Sequence, residues 1–190
     1  AADGRSHDYP LPRLGKFHHD PIEEVILVRT GERTLSLAYG HRVEEQYERI
    51  GNVFRLIAIR HRGGARVALH YEHFHKGTHV LSDLLTYQND QVHQHIHTRL
   101  DPSGRIASLW LMNDGESLRQ LAEYDYSADG DLVSARDEHG RQWGYTYQHH
   151  LITRYTDRTG RAMNLEWLGE GADAKAIHEW ADDGSHEVRL

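Results

Sequence analysis

The chain has 190 residues, enough for one domain of ordinary size or for a segment of a larger protein. Its 22 Lys and Arg and 29 Asp and Glu residues give a net charge of -7, with the two signs interspersed and no basic stripe. That pattern argues against nucleic acid or an anionic membrane as a partner. No stretch approaches the roughly 18 apolar residues of a membrane helix, and the absence of Cys excludes disulfides and thiolate metal sites.

Hydrophobic residues make up 38% of the chain and the mean hydropathy is -0.74, values that alone are typical of weakly packed sequences. However, ten Tyr, four Trp and three Phe stand in alternating runs. We therefore predict an ordered, strand-rich protein with thin cores. Because the sequence starts without Met and stops inside an alternating run, we also expect it to be a segment of a longer chain.

The first part of the chain divides into a leading segment and a strand-rich region. Residues 1–22 hold three of the four prolines with scattered Gly, His and Asp, which predicts an irregular structure. A strand-rich region is predicted over residues 23–98. It begins with an apolar run, Val25–Val28, a turn and the alternating run Thr34–Tyr39, which together predict a β-hairpin.

A second hairpin is predicted from Val53–Arg60 and Ala65–Tyr71, joined across two glycines. Between the two hairpins, Arg42–Ile50 contains helix-favouring Glu and Gln but has only a short apolar stripe, so a helical turn or two stays open there. Val80–Tyr87 and Val92–Thr98 are ambiguous for the same reason, and we favour strands for both.

The region predicted over residues 99–190 contains a recurring four-residue element, D-x-x-G. An Asp or Ser at the first position of a type I turn can accept hydrogen bonds from the backbone of the turn, and Gly at the fourth tolerates positive φ. Each copy is therefore predicted to be a hairpin tip. The copies are Asp101–Gly104, Asp137–Gly140 and Asp157–Gly160, with Ser127–Gly130 as the serine version.

Two segments of this region also superimpose with a shift of twenty residues, Asp131–Tyr147 over Leu151–Trp167. Self-similarity at a fixed period is typical of repeat proteins, in which each unit stacks on its neighbours. After the tips in these two segments, alternate positions carry apolar residues, and period two places them on one face of a strand. These residues are Trp143, Tyr145 and Tyr147 in one copy and Met163, Leu165 and Trp167 in the next.

These motifs resemble the Rhs/YD-repeat family, large bacterial proteins related to animal teneurins and to the C components of insecticidal toxin complexes. Tyr124–Leu132 is similar to the family's Y-x-Y-D-x-x-G-x-L unit, and Asp137–Arg141 and Asp157–Arg161 are similar to its D-x-x-G-R steps. The resemblance covers roughly residues 101–167. The residues to which the motifs assign a structural role are Asp101, Gly104, Tyr124, Tyr126, Gly130, Asp137, Gly140, Arg141, Tyr145, Tyr147, Asp157, Gly160, Arg161 and Trp167.

The chain departs from the family pattern at three points. The YD pair of the first unit sits one residue early, Tyr145–Gln148 lacks the acidic residue, and Leu165–Trp167 replaces the tyrosines.

The resemblance implies an all-β fold of consecutive antiparallel β-hairpins that form an arc of a YD-repeat β-sheet shell, or cocoon. Such shells enclose a C-terminal toxin that is delivered by type VI secretion or belongs to a polymorphic toxin system used in interbacterial competition. The implied partners are the rest of the same shell, the enclosed toxin, and secretion-apparatus spike proteins and a chaperone at the N-terminal region of the parent. The implied location is the bacterial cytoplasm before delivery and the exterior afterwards. No catalytic residue, cofactor or metal is expected.

Seventeen histidines raise two further hypotheses. His93, His95 and His97 alternate, so on a strand their rings would share one face and could form a three-His metal site. His70, His73 and His75 form a second cluster of mixed parity. Because the sequence places no carboxylate or fourth ligand beside them, we assign no metal site. A pH-sensing role near pH 6 is the other hypothesis.

Two remaining patterns have alternative interpretations. Asp101–Gly104 resembles the D-P-x-G motif of the self-cleaving aspartyl protease that ends many Rhs shells, but it precedes the repeats, so we favour a plain hairpin turn. The Tyr and Trp stripes favour packing between repeats, and the alternative is a cell-surface adhesin or carbohydrate-binding YD-repeat array.

Overall fold

The computed structural model describes residues 8–40 and 42–189, and within them the regular secondary structure is almost entirely β-strand. These residues contain one short 3-10 helix, Gly171–Asp173, and no helix among them is long and apolar enough to cross a membrane. The predicted all-β class is confirmed. The chain forms two compact units, Ala1–His97 and Thr98–Leu190. The predicted division into 1–22, 23–98 and 99–190 stays a prediction.

In the first unit, antiparallel strands follow one another in the order β1-β2-β3-β4-β5-β6-β9-β10, and β7 pairs with β8 in a separate two-stranded sheet. The chain therefore builds the sheet hairpin by hairpin. The strands are β1 (Phe17–Asp20), β2 (Val25–Val28), β3 (Thr34–Tyr39), β4 (Val43–Ile50), β5 (Val53–His61), β6 (Arg66–His70), β7 (His73–His75), β8 (Thr78–Val80), β9 (Asp83–Gln88) and β10 (Gln91–Leu100).

Both hairpins predicted in this unit are confirmed, as β2–β3 and β5–β6, and the favoured strands at the two ambiguous segments are confirmed as well. Alternation explains the burial, because Leu35 and Leu37 of β3 are buried while Ser36 between them is half-buried. The other buried apolar residues of the unit are Val25, Ala58 and Ala68. Since three of these five buried side chains are small or β-branched, the core is thin.

The helical alternative for Arg42–Ile50 is wrong. Val43–Ile50 is the strand β4, hydrogen-bonded to β3 on one side and to β5 on the other. Helix propensity is a weak preference, and two full ladders of interstrand hydrogen bonds outweigh it. The polar side chains also find partners on the sheet, since Ser36 donates to Glu44 Oε1 at 2.7 Å and Tyr47 donates to Glu45 Oε2 at 2.5 Å.

The irregular structure predicted over residues 1–22 is wrong for Phe17–Asp20. These residues form β1, which pairs with β2 from Phe17 opposite Val28 to Asp20 opposite Val25. The turn between the two strands is closed by Asp20, whose Oδ1 accepts hydrogen bonds from the backbone N–H groups of Ile22 and Glu23 at 2.9 and 3.2 Å. The first seven residues of the predicted segment lie outside the described residues.

In the second unit, the remaining strands pair antiparallel in simple chain order, each with the next. The predicted succession of hairpins is confirmed. The strands are β11 (Ile106–Asn113), β12 (Glu116–Tyr126), β13 (Leu132–Asp137), β14 (Gln142–Gln148), β15 (Leu151–Thr156), β16 (Ala162–Leu168), β17 (Lys175–Ala181) and β18 (Glu187–Arg189).

The twenty-residue period of the sequence is a structural period too. A shift of twenty residues carries β14 onto β16, and it carries β13 to within one residue of β15. The irregularities repeat with the strands. Val133 is the extra residue of a β-bulge opposite Asp125 and Tyr126, and Thr153, twenty residues later, is the extra residue opposite Thr146 and Tyr147. Because bulges increase strand twist, equal bulges give successive hairpins equal geometry.

Candidate functional site

The four predicted turns share one backbone geometry. In each, the N–H of the fourth residue donates to the carbonyl of the first, and the N–H of the first donates to the carbonyl of the fifth, at distances of 2.8 to 3.1 Å. This pattern is typical of a three-residue hairpin loop, a type I turn followed by a residue in the left-handed region. The glycines in that region have φ values of +84°, +97°, +77° and +87° for Gly104, Gly130, Gly140 and Gly160.

The first residue of each turn holds the loop with its side chain, as the sequence predicted. Asp137 Oδ1 accepts hydrogen bonds from the backbone N–H groups of His139 at 2.9 Å and Arg141 at 3.0 Å. Asp157 Oδ1 accepts equivalent bonds from Thr159 and Arg161, at 2.8 and 3.1 Å. In the serine version, Ser127 Oγ accepts from the N–H of Asp131 at 3.1 Å.

These hydrogen bonds favour the ionised form of the turn aspartates. The backbone N–H of Arg105 is the main cause that lowers the pKa of Asp101. The side-chain and backbone groups of Thr159 lower the pKa of Asp157. For Asp137, partial desolvation acts to raise the pKa, but the N–H groups of Arg141 and His139 outweigh it and the net shift is downward. All three turns therefore keep a carboxylate acceptor at neutral pH.

The Arg after the turn glycine plays two different roles. Arg141 Nε lies 2.8 Å from Asp137 Oδ2, so it closes the turn on itself. Arg161 instead bonds Ser185 Oγ and lies 3.9 Å from Asp183 Oδ2, so it connects its turn to the β17–β18 turn. The two Arg residues are equivalent in sequence, and the hairpin beside each one decides its partner.

Arg105 is a repeat residue that the sequence reasoning missed. Its Nε donates to Asp101 Oδ2 at 2.7 Å, and its guanidinium carbon lies 4.4 Å from the ring centre of Tyr126. Asp101–Arg105 is a third D-x-x-G-R step, and that motif could have identified it. Asp101 is thus engaged with its own hairpin turn, as its interpretation as a turn residue predicted.

The aromatic residues of the repeats form cross-strand rows. Tyr124 is opposite Ala135, which is opposite Trp143 on the next strand. One step along, Tyr145 is opposite Tyr155, which is opposite Met163. Cross-strand neighbours on one face are the unit of sheet stabilisation, and these rows make the apolar face continuous over successive hairpins.

The predicted alternation of β14 is confirmed by burial. Trp143, Tyr145 and Tyr147 are half-buried, whereas Thr146 and Gln148 are exposed.

Two aromatic side chains also satisfy backbone carbonyls. Tyr126 Oη donates to the carbonyl of Ile106 at 2.8 Å, and Trp167 Nε1 donates to the carbonyl of Ile152 at 2.7 Å. Ile152 immediately precedes the extra residue of the bulge in β15. The indole therefore supplies a donor where the regular ladder is interrupted.

The histidines of β10 meet a carboxylate that the sequence could not place. Asp83 Oδ1 lies 2.6 Å from His95 Nε2 and 3.0 Å from His97 Nδ1. His93 sits at a register shift between Val92 and Gln94, where the simple alternation assumed for the three rings is interrupted. In the described part of the chain, no group of three or more His, Cys, Asp or Glu side chains could hold a metal ion.

The fold and the turn chemistry define a repeat protein built from antiparallel β-hairpins, in which four turns are closed by an Asp or Ser and a left-handed Gly. Residues 126–162 match the family model described as RHS Repeat, and this segment includes three of the four turns. This match confirms, over residues 126–162, the resemblance to Rhs/YD-repeat proteins that the YD and D-x-x-G-R motifs predicted. No curated protein matches the chain.

Proposed function

We propose that this chain is a structural segment of an Rhs shell that encloses a C-terminal toxin and helps to deliver it in interbacterial competition, with no catalysis of its own. The observation that carries the proposal is the RHS Repeat match at residues 126–162 on hairpins that repeat with a twenty-residue period. Its partners are the remainder of the shell and the enclosed toxin.

The construction of the hairpins supports a wall-forming role. Four turns of the second unit are each closed by their own Asp or Ser, and each strand from β11 to β17 pairs with the next strand in the chain. A hairpin of this kind buries its apolar face only against neighbouring hairpins, so the array is extended by adding one hairpin after another. Such a run makes a large surface from few buried residues, which suits an enclosure better than an active site.

The route of delivery follows from the same proposal. Before delivery the shell resides in the bacterial cytoplasm, and afterwards it is secreted by a type VI apparatus. Spike proteins of that apparatus and a chaperone bind the N-terminal region of the parent.

Limited proteolysis of the full-length parent, with mass spectrometry of the surviving fragments, tests the proposal. We expect a resistant shell together with a protected C-terminal fragment. Parent unfolded in urea and digested at the same protease ratio is the control, and there the C-terminal region should be degraded. Rapid loss of the C-terminal region from an otherwise resistant native array would overturn enclosure.

A second candidate function, binding of carbohydrate at a cell surface, has one observation in its favour. An open cleft of about 340 Å³ in the second unit is lined by Trp167 and Trp180 together with the polar side chains of Gln148, Glu166 and Glu170. Aromatic faces beside hydrogen-bonding groups are a usual combination in ligand sites. Glycan binding that is lost in Trp180→Ala but kept in Trp110→Ala, whose Trp lies outside this cleft, would favour the adhesin function.

A further inference from the structure

The first unit contains an open cleft of its own, with a volume of about 380 Å³. It lies where β4 begins and β5 ends, beside the turn that joins β3 to β4. Three of the residues that line it are Arg42, Arg60 and Arg62, and Glu44 lies beside them. We call this place the arginine cleft.

The pairing of β4 with β5 brings the three arginines together. The N–H of Arg62 donates to the carbonyl of Arg42 at 3.1 Å, which extends the β4–β5 ladder by one residue. Two residues further into the sheet, Arg60 is opposite Glu44. Since Arg42 is distant in sequence from the other two arginines, the sequence alone shows no basic stripe here.

The guanidinium groups of the arginine cleft have no anionic partner in the part of the chain that the structure describes. Within that part, no hydrogen bond or ion pair is formed by the side chain of Arg42, Arg60 or Arg62. All three residues are exposed. The carboxylate of Glu44 instead accepts a hydrogen bond from Ser36 Oγ at 2.7 Å. The cleft therefore presents three guanidinium groups whose donors are available to a ligand.

The charges of the arginine cleft are not balanced. Three guanidinium groups and one carboxylate give the cleft a net charge of +2 at neutral pH. Arg42 and Arg62 lie side by side on neighbouring strands, and like charges in that arrangement are destabilising. An anion bound between them would replace this repulsion with attraction. Ala38 and Gly40 also line the cleft, and their small size leaves room for a ligand.

The chemistry of the arginine cleft favours a phosphate group. A guanidinium group presents its N–H donors as a planar fork that matches carboxylate and phosphate oxygens. A carboxylate has two oxygens and a single charge, so one fork satisfies it. A phosphate monoester carries a charge of about -1.5 to -2 at pH 7 and three acceptor oxygens. That charge and that number of oxygens fit the net charge of +2 and the three arginines better.

The size of the cluster matches one phosphate group. A nucleic acid is held by basic residues that neutralise several successive phosphates, and the three arginines here line a single cleft. We propose that the arginine cleft binds one phosphate dianion, free or as the group of a small phosphomonoester, through the guanidinium groups of Arg42, Arg60 and Arg62. The inference concerns the first unit alone and does not rest on the proposed function.

A titration of the intact chain at pH 7.5, followed by NMR of the arginine Nε–H groups, tests the site. The probes are inorganic phosphate and glycerol 2-phosphate, with ionic strength kept constant by sodium chloride. We expect the Nε–H signals of Arg42, Arg60 and Arg62 to shift with one shared dissociation constant, because the three groups bind one ligand. Sodium acetate should bind at least about tenfold more weakly, because it offers fewer acceptor oxygens and less charge.

The two probes distinguish the source of the phosphate. Tighter binding of glycerol 2-phosphate would assign the cleft to a phosphomonoester, because the glycerol group then adds contacts of its own. Equal or tighter binding of inorganic phosphate would assign the cleft to the free ion. Either result supports the site.

Substitutions assign the binding to the named side chains. Arg60→Gln and Arg62→Gln each remove hydrogen bonds from a charged donor, so each should weaken phosphate binding by about tenfold. Arg62→Lys keeps the charge but loses the fork, and it should also weaken binding. Arg49→Gln is the matched control, because Arg49 is an exposed arginine of β4 that lies outside the cleft. If Arg62→Gln does not fold, Arg42→Gln provides the comparison.

Three results would overturn the phosphate site. The first is that phosphate leaves the three Nε–H signals unchanged. The second is an equal response to phosphate and acetate, which would indicate general screening of exposed arginines. The third is that Arg49→Gln weakens binding as much as Arg60→Gln does, which would mean that the net charge of the chain and not the cleft attracts the anion.

Discussion

Replacing Gly140 by Ala tests the turn geometry on which the hairpin repeat depends. Gly140 has a φ of +77°, in the region that residues with a Cβ rarely adopt. A Cβ built at this position has no atom within 4 Å, so the added methyl group causes no steric clash. The loss of stability therefore comes from the strained backbone conformation alone. That cost is about 1–2 kcal/mol for a residue other than glycine.

The same hairpin contains a matched control. Gly144 lies in β14 with an ordinary φ, and a Cβ there also has no atom within 4 Å. Ala at an extended position reduces the freedom of the unfolded chain and stabilises by about 0.4–1 kcal/mol. The two substitutions add the same methyl group, four residues apart, and we expect them to change stability in opposite directions.

Urea unfolding followed by tryptophan fluorescence measures the difference. All four Trp residues lie after Thr98, so the signal reports on the second unit. With a urea dependence of about 2 kcal/mol per molar, Gly140→Ala should lower the midpoint by about 0.5–1 M. Gly144→Ala should raise the midpoint slightly.

Gly160 has a φ of +87° and free space around it, so Gly160→Ala should repeat the loss seen for Gly140→Ala. A midpoint for Gly140→Ala equal to that of wild type, or equal losses for Gly140→Ala and Gly144→Ala, would refute the left-handed turn.

The remaining predictions concern one aromatic hydrogen bond and one ion pair. Tyr126→Phe removes the hydrogen bond to the carbonyl of Ile106 and should cost about 1 kcal/mol in urea unfolding. Tyr145→Phe, whose hydroxyl bonds none of the residues that the structure describes, should cost less, and equal costs would contradict a role for the Tyr126 hydroxyl. Arg154 and Asn164 hold the pKa of Asp182 at about 2, so its contribution to stability is present above pH 4 and is lost as the pH falls toward 2. Asp182→Asn should therefore flatten the loss of stability between pH 5 and pH 2.5, and an unchanged slope would show that other carboxylates cause it.

Sequence patterns predicted the turns well because every atom that closes a turn lies within five residues. The Asp or Ser acceptor, the left-handed Gly and the two backbone bonds of Asp137–Arg141 can all be inferred from local chemistry. Alternation likewise predicted the half-buried face of β14.

Arg105 was missed although its partner Asp101 is local, whereas two other features depend on contacts between distant residues. β4 is a strand because β3 and β5 pair with it, although its own composition allows a helix. Asp83 reaches His95 and His97 only through the register of β9 against β10, which includes a bulge after Val92. No rule of spacing in the sequence specifies that register.

The hairpin geometry of the repeats extends beyond the segment that matches the RHS Repeat model. In the first unit, Gly64 has a φ of +85°, its N–H donates to the carbonyl of His61 at 3.0 Å, and the N–H of His61 donates to the carbonyl of Ala65 at 2.9 Å. This is the backbone of the D-x-x-G turns with His in place of Asp. Glycine is thus the residue that the backbone requires, and the acidic residue adds stability.

A second structural feature occurs in both units, an aromatic side chain that donates a hydrogen bond to a carbonyl beside a β-bulge. Tyr71 Oη donates to the carbonyl of Leu56 at 2.8 Å, fifteen residues earlier, as Trp167 Nε1 does to Ile152. Leu56 precedes the extra residue of a bulge in β5, just as Ile152 does in β15. Since a bulge interrupts the ladder, a nearby aromatic donor keeps the carbonyl paired. The turn geometry and the aromatic hydrogen bond therefore occur outside the segment that is similar in sequence to the RHS Repeat. The backbone needs a hydrogen-bond donor and a glycine at these positions, and more than one sequence supplies them.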